Sequence, residues 1–153
     1  MRILQYILRA WNHVSPAPTV SAHCDVPCGI YDPTSAQIAA KTVAKMVEKM
    51  QALIPPTSDA TKDTVLAFHN TVSRMVATKE HHAELCKHEL LILWTDYFKP
   101  EHLSLFPNLH DTFWKAAKLC SKNKQEVNAE AAHELMHAVD AIAAIFAQTQ
   151  QKK

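Results

Sequence analysis

The sequence predicts an all-α protein, an up-and-down bundle of four helices. Only one of the 153 residues is glycine, whereas alanine, leucine, lysine and glutamine are frequent, which favours helices over strands. Hydrophobic residues make up 48% of the chain, enough for one domain with its own core. Apolar residues also recur at helical spacing in four stretches, separated by short polar or proline-containing segments.

The first two helices are predicted from capping signals and apolar periodicity. Asp32-Pro33 begins a helix over residues 33–53, and a loop at residues 55–59 separates it from a second helical run that ends at Phe98, with a break expected near residues 78–81. The first helix has an apolar face of Ile38, Val43, Met46, Val47, Met50 and Leu53. The second has Val65, Phe68, Val72, Met75, Val76, Leu85, Cys86, Leu90, Leu93 and Trp94.

Two further helices complete the predicted bundle. A connector between Pro100 and Pro107 leads into a third helix over residues 108–122, and a fourth spans residues 125–150. Their apolar faces comprise Phe113, Ala117 and Cys120, and then Val127, Ala131, Leu135, Val139, Ile142 and Phe146. Because Cys86 and Cys120 lie on apolar faces, we expect both to be small core residues.

Charge and hydropathy exclude some partners. The formal net charge is +1, from 16 basic and 15 acidic residues, and no run of lysine or arginine could bind a phosphate backbone, so no nucleic-acid partner is predicted. No apolar stretch is long enough to cross a bilayer, so no membrane partner is predicted either. We expect a cytoplasmic location, with an organellar or exported location left open.

Residues 1–22 differ in composition from the rest of the chain. They contain Arg2 and Arg9 but no acidic residue, and they end in the small residues Val20-Ser21-Ala22. The apolar run is short for a secretory peptide, which leaves a transit peptide, an attached disordered tail or another cleaved segment. Composition alone leaves open whether residues 1–22 are a cleaved prosequence or an attached tail, and residues 23–153 are predicted to form one domain.

A histidine pair near the C-terminus suggests one metal site. HELMH at residues 133–137 fits the two-histidine zinc pattern, with Glu134 as a possible general base. A zinc site of this type needs a third ligand. The only histidine, cysteine or acidic residue after His137 in the sequence is Asp140, which is one turn away on the same helix. We therefore favour surface or bundle residues over a zinc hydrolase.

The stretch SAHCDVPCGIYDP, residues 21–33, has no apolar periodicity and contains the single glycine, Gly29. A disulfide between Cys24 and Cys28, an exposed thiol pair, or a zinc site with three local ligands are all compatible with this spacing. Cleavage after Ala22 would add a fourth possibility, a metal site that uses the new N-terminus, since His23 would then carry a free α-amine beside its imidazole.

A freed His23 would make a distinctive ligand set. Its amine, the Cys24 amide nitrogen and the thiolates of Cys24 and Cys28 form a planar set of two nitrogens and two sulfurs, which suits Ni(II) or Cu(II). Two thiolates and an amide anion stabilise a higher oxidation state, so the metal could transfer single electrons. Pro27 and Gly29 allow so short a peptide to turn back on itself.

The same stretch resembles the nickel hook of nickel-containing superoxide dismutases. HCDVPCGIYDP carries the resemblance, which continues through AELCKHELLILWTDYFKP at residues 83–100 and FPNLH at residues 106–110 and covers residues 23–150. It implies a four-helix bundle with an N-terminal metal-binding hook at residues 23–31, one nickel ion per subunit, a homohexamer and a peptidase that removes residues 1–22. The implied reaction is the disproportionation of superoxide, in antioxidant defence.

The resemblance also implies roles for individual residues. His23 provides the α-amine and an axial imidazole, Cys24 its thiolate and amide nitrogen, and Cys28 its thiolate. Tyr31 stands over the open face of the metal and, with Asp25, limits access to a small anion. Tyr97 supports Tyr31 by hydrogen bonding.

The chain departs from the family pattern at two positions. Family members hold the axial imidazole with a glutamate and an arginine, whose places are taken here by Ala39 and His82, and the segment at residues 53–65 is longer. A metal carrier that binds nickel or copper without turnover is the competing hypothesis. Lys99 is the residue that we expect could attract an anionic substrate.

Overall fold

The computed structural model describes residues 29–150, and every regular element in that range is helical. His23, Cys24, Asp25 and Cys28 lie outside the described residues. The elements are α1 (Thr34–Gln51), α2 (Lys62–Ile92), a π-helical turn (Leu93–Tyr97), α3 (Pro100–Leu103), α4 (Leu109–Gln125) and α5 (Ala129–Gln150).

The four long helices form a closed bundle. Helix α1 packs against α2 and α5, and α4 packs against the same two helices, so each helix adjoins the next in the chain and the last adjoins the first. Short connections at residues 52–61, 98–108 and 126–128 join neighbours that run in opposite directions. The predicted up-and-down four-helix bundle is confirmed.

Helix α1 packs through small side chains. Its buried residues are Ala36, Ala39, Ala40, Val43 and Val47. This stripe repeats every three to four residues, so it forms one face of the helix. The prediction that Ile38 belongs to this face was wrong, because Ile38 lies off the alanine stripe and its side chain is 59% exposed.

Helix α2 continues without interruption through residues 78–81, so the predicted break there was wrong. Thr78 donates its hydroxyl hydrogen to the carbonyl of Arg74 (2.9 Å), and His82 Nδ1 lies 2.8 Å from the carbonyl of Thr78. Polar side chains in this segment therefore bond to the helix's own backbone rather than ending it. The helix begins with Thr61 as its N-cap, whose hydroxyl accepts a hydrogen bond from the Thr64 amide.

Lys79 is a buried charged residue at the junction of α2 and the end of α4, with 2% of its surface exposed. Its Nζ donates hydrogen bonds to the carbonyls of Asn123, Lys124 and Glu126. These carbonyls belong to the last turn of α4 and the start of its connector, where a helix lacks internal donors. Lys79 therefore joins two helices by capping one of them.

Helices α4 and α5 follow the predicted boundaries closely. Phe113 and Cys120 are buried on α4, but the fully buried alanine between them is Ala116 rather than the predicted Ala117. Val127 is 45% exposed, so its predicted place on the apolar face was wrong. It lies in the connector before α5, where helical periodicity does not apply.

The bundle core is apolar and contains two thiols. Its largest fully buried side chains include Phe113, Leu90, Leu109 and Leu135, and Cys86 and Cys120 are buried among them as free cysteines. The prediction that both cysteines are core residues is confirmed. None of the helices in residues 29–150 is long and apolar enough to cross a membrane.

Candidate metal centre

The described chain begins at Gly29, one residue after the last proposed metal ligand, Cys28, so the structure shows the end of the hook and the protein surface that follows it. Gly29 has a φ of +71°, in the left-handed region that residues with a Cβ rarely adopt. A Cβ built on Gly29 would meet no atom of the described residues within 4 Å. The positive φ, rather than a lack of space for a side chain, is therefore the reason that glycine is favoured here.

The chain passes from this turn into α1 through Asp32. The Thr34 amide donates a 2.7 Å hydrogen bond to Asp32 Oδ1. Side-chain and backbone hydrogen bonds from Thr34 lower the pKa of Asp32 below its ordinary value of 3.8. Asp32 is thus an ionised acceptor just before α1, but Pro33 is the N-cap residue and the helix begins at Thr34, one residue later than the sequence predicted.

The structure brings Tyr31 against Tyr97, although 66 positions separate them in the chain. Their ring centroids are 5.5 Å apart and the rings are tilted by 56°. Tyr97 is also fixed by Phe146 and Phe98, whose ring centroids lie 4.5 Å and 5.0 Å from its own. The two tyrosines that the resemblance assigned to the site therefore form one aromatic wall.

The π-helical turn delivers Tyr97 to this wall. The Phe98 amide donates to the carbonyl of Leu93 (3.1 Å), five residues back, which is the wider spacing of a π-helix. Leu93 and Phe98 are both buried, so the turn is held at both ends. Such turns are common at functional sites.

Two residues at the end of α5, which sequence reasoning missed, bind the Tyr97 hydroxyl. Its oxygen lies 2.6 Å from Thr149 Oγ1, and Gln150 Nε2 donates to it at 2.9 Å. Thr149 is buried and Gln150 is exposed. No motif marks either residue, and only the closure of the bundle brings the end of α5 to the π-helical turn.

A cavity of about 480 Å³ opens beside the tyrosine pair. Its lining includes Gly29, Tyr31, Tyr97, Lys99, His102 and Gln150. Lys99, expected to attract an anion, does line this cavity, but so do the acidic residues Asp96 and Glu101. The cavity therefore combines one lysine with two carboxylates and offers no strong positive field.

His102 is oriented by the backbone in the same cavity. The Lys99 amide donates a 3.0 Å hydrogen bond to His102 Nδ1, so this nitrogen acts as an acceptor and any proton of the neutral ring is on Nε2. The imidazole stacks on Tyr97 with centroids 5.9 Å apart and an angle of 17° between the rings. His102 therefore supports the tyrosine from the side of α3.

Ala39 and His82, at which the chain departs from the family pattern, are both described. Ala39 is fully buried in the core, and His82 is half-buried with Nδ1 against the Thr78 carbonyl. Neither residue is among those that line the cavity beside Tyr31.

The two histidines of the HELMH segment lie on the solvent side of α5, whereas Leu135 between them is buried in the core. His133 and His137 are both exposed, and Asp140 accepts a 2.7 Å hydrogen bond from Gln37 Nε2 of α1. Within residues 29–150 no group of three or more histidine, cysteine or acidic side chains could hold a metal ion. This geometry favours the surface interpretation of the motif over a zinc site.

The fold is similar to that of solved nickel enzymes. The native structure of a nickel superoxide dismutase superimposes with a TM-score of 0.71 at 34% identity, covering 84% of this chain and 99% of that one. A nickel-containing superoxide dismutase with nickel ligation corresponding to the oxidised state gives a TM-score of 0.70 at 37% identity over the same shares. The bundle is therefore of the class found in helical nickel metalloenzymes.

Sequence comparison defines the family. The model of the nickel-containing superoxide dismutase family matches residues 18–150. The superoxide dismutase [Ni] of Streptomyces seoulensis is 37% identical over 137 residues, or 90% of this chain and 95% of that protein, and that of Streptomyces coelicolor is 36% identical over the same shares. The chain belongs to the nickel-containing superoxide dismutase family, as the resemblance of its hook predicted.

Proposed function

We propose that this chain binds one nickel ion per subunit through the hook and disproportionates superoxide to oxygen and hydrogen peroxide, as an antioxidant enzyme. The reaction consumes two superoxide anions and two protons and yields one molecule of each product. The observation that carries the proposal is the family match across residues 18–150, a range that contains the complete hook sequence.

The donor set of the hook fits nickel. After removal of residues 1–22, His23 offers an amine and an imidazole, Cys24 a thiolate and an amide nitrogen, and Cys28 a second thiolate. Nitrogen and thiolate donors in a planar arrangement suit Ni(II). Nickel held by these residues would supply a Ni(III)/Ni(II) couple for one-electron chemistry with superoxide.

The protein's own residues control access to the hook. Tyr31, three residues after Cys28, packs on Tyr97 and limits entry to a small anion together with Asp25. Tyr97 supports Tyr31 because Phe146, Phe98 and His102 hold its ring in place. The two protons come from water or from a thiol of the hook, since the hook contains no carboxylate or histidine besides Asp25 and His23.

The net charge of the chain provides little long-range electrostatic attraction for superoxide. Without residues 1–22 the chain has 14 basic and 15 acidic residues, so its formal net charge is −1. Attraction of an anion must then be local, and Lys99 is the lysine that lines the cavity. The nearby carboxylates of Asp96 and Glu101 limit this attraction.

The active form is a homohexamer whose subunits have been processed by a peptidase. Apolar side chains that remain exposed in the described chain support self-association, among them Ile30 (75% exposed) and Ile38 (59%). Ile30 lies within the hook and Ile38 seven residues after it, so subunit contacts made through these side chains would lie near the proposed metal centre. Processing is required because an uncut chain has no α-amine at His23.

The test combines the mass of the mature N-terminus, the nickel content and the rate of superoxide loss in a stopped-flow assay. We expect a chain that begins at His23, one nickel per subunit and catalytic turnover. Cys24→Ser should abolish both nickel binding and turnover. The matched control is the double variant His133→Ala/His137→Ala, which should retain both.

Three results would contradict the proposal. A mature chain that keeps Ala22 joined to His23 would lack the amine ligand. Stoichiometric nickel without superoxide loss would identify a metal carrier. Activity that persists in Cys24→Ser but disappears in the double histidine variant would point to the HELMH segment instead.

A further inference from the structure

The hydrogen bonds around the Tyr97 hydroxyl have a fixed direction. Thr149 Oγ1 donates its only hydrogen to the carbonyl of Phe146 at 2.7 Å, because a carbonyl can only accept. The 2.6 Å contact between Thr149 Oγ1 and the Tyr97 hydroxyl must therefore use the tyrosine hydrogen. Tyr97 is the donor and Thr149 the acceptor in that pair.

Gln150 completes the arrangement from the other side. Its Nε2 carries hydrogens and donates to the Tyr97 oxygen at 2.9 Å. The sequence of donors thus runs from Gln150 through Tyr97 and Thr149 to the Phe146 carbonyl. Because the tyrosine hydrogen is engaged with a buried residue, the Tyr97 hydroxyl keeps only acceptor capacity for a molecule in the cavity.

We infer that Thr149 and Gln150 are positioning residues that make Tyr97 an acceptor-only wall of the cavity, suited to a neutral protic molecule such as hydrogen peroxide or water and unsuited to the superoxide anion. An anion needs a donor, and Tyr97 has none left to offer. Lys99 lines another part of the same cavity and can attract the anion. The cavity wall therefore distinguishes the charged substrate from the neutral product.

This inference rests on the proposed function for the identity of the molecules that enter the cavity. The direction of the hydrogen bonds can nevertheless be measured on the metal-free protein. Ultraviolet resonance Raman spectroscopy reports the state of a phenol through the intensity ratio of the tyrosine Fermi doublet. The ratio is high when the hydroxyl accepts hydrogen bonds and low when it donates strongly. Subtracting the spectrum of Tyr97→Phe isolates the contribution of Tyr97.

The two positioning residues should shift this ratio in opposite directions in the metal-free protein. Thr149→Val removes the short acceptor, so the ratio should rise. Gln150→Leu removes the donor, so the ratio should fall. Thr149→Ser keeps a hydroxyl at the same position and should leave the ratio unchanged. Circular dichroism melting of each variant checks that the bundle is intact.

A second readout uses the nickel-loaded protein and azide, a small anion that needs hydrogen-bond donors. In Thr149→Val the Tyr97 hydrogen is freed toward the cavity, so the azide concentration that halves superoxide loss should fall by about tenfold, whereas Thr149→Ser should behave as the parent protein. Equal ratios in all variants, or shifts of the same sign for Thr149→Val and Gln150→Leu, would overturn the inference. Inactive nickel-loaded protein with opposite Raman shifts would overturn only the proposed function.

Discussion

At the scale of single residues, the four cysteines fall into two chemical classes. Cys86 and Cys120 face each other's helices in the core, and both are fully buried. A hydrogen bond with Cys120 and burial raise the pKa of the Cys86 thiol well above its ordinary value of 9.0. Thiols react as thiolates, so Cys86 should be inert in an enzyme whose product is an oxidant.

The first prediction concerns thiol reactivity. In the double variant Cys24→Ser/Cys28→Ser, the folded protein should not react with a water-soluble disulfide reagent at neutral pH, because both remaining thiols are buried and Cys86 is held protonated. Unfolding in guanidinium should make the thiols of Cys86 and Cys120 reactive toward the reagent. Rapid reaction of either thiol in the folded variant would show that the core opens.

The second prediction concerns Gly29. Its φ of +71° is costly for any residue with a Cβ, so Gly29→Ala should strain the turn by about 1 kcal/mol. Because the turn adjoins Cys28 and not the bundle core, we expect nickel affinity to fall by about fivefold while the melting temperature of the metal-free bundle is unchanged. Nickel titration by calorimetry measures the affinity, and circular dichroism measures the melting temperature. Gln51→Ala, at an exposed position at the end of α1 and far from the hook in sequence, should change neither.

At the scale of elements, Lys79 links two helices through charge rather than apolar contact. Its ammonium group satisfies three carbonyls at the end of α4, and burial lowers its pKa below the ordinary value of 10.5. A charged group in this position is tolerated because helix C-termini carry partial negative charge. The cost of burying the lysine is therefore offset by the carbonyls that it binds.

The third prediction is that Lys79→Met destabilises the metal-free bundle by about 2 kcal/mol, because the methionine fills the space but leaves buried carbonyls unpaired. Urea unfolding followed by circular dichroism measures the change. Lys118→Met, at an exposed position of α4, is the matched control and should change stability little. Equal stability of the two variants would contradict a capping role.

The fourth prediction follows from the lowered pKa of Lys79. The unfolded chain holds this proton more tightly than the folded one, so stability should rise with pH as pH increases through the interval between the folded pKa and 10.5. Lys79→Met removes this contribution. The difference in unfolding free energy between parent and variant should therefore widen with pH across that interval, and a difference that narrows would show that burial does not dominate.

At the scale of the whole molecule, the bundle leaves large apolar side chains in contact with solvent. Ile38 and Leu66 are both more than half exposed on α1 and α2, and Trp114 is 54% exposed on α4. Side chains of this size scattered over a small domain are compatible with self-association. We expect the proposed homohexamer to cover the face of α1 that carries Ile38.

The fifth prediction tests this assembly. Ile38→Asp places a charge in an apolar contact, so it should shift the parent hexamer to smaller species in light scattering coupled to gel filtration while helical circular dichroism is retained. Lys62→Asp, exposed at the start of α2 and off the Ile38 face of α1, is the control and should preserve the hexamer. A parent protein that is monomeric would contradict the assembly itself.

Signals within short stretches of the sequence were enough to predict the helices and the family, and to propose the hook. The number of helices and most of their boundaries followed from apolar periodicity, proline and capping residues, because these signals act within a few residues of chain. The hook was recognisable for the same reason, since its ligands lie within six consecutive positions. Predictions from local periodicity were wrong where tertiary packing selected a different helix face. Ile38, for example, is exposed because α1 packs through alanines.

Contacts between residues far apart in the chain could be identified only from the folded bundle. Nothing in the local sequence marks Thr149 and Gln150 as partners of Tyr97, or Lys79 as a cap for α4. These contacts join positions more than 40 residues apart and exist only because the bundle closes with α5 beside the π-helical turn and α2 beside the end of α4. Hydrogen bonds of this kind depend on the positions of whole helices, and those positions are set by the summed packing of the core.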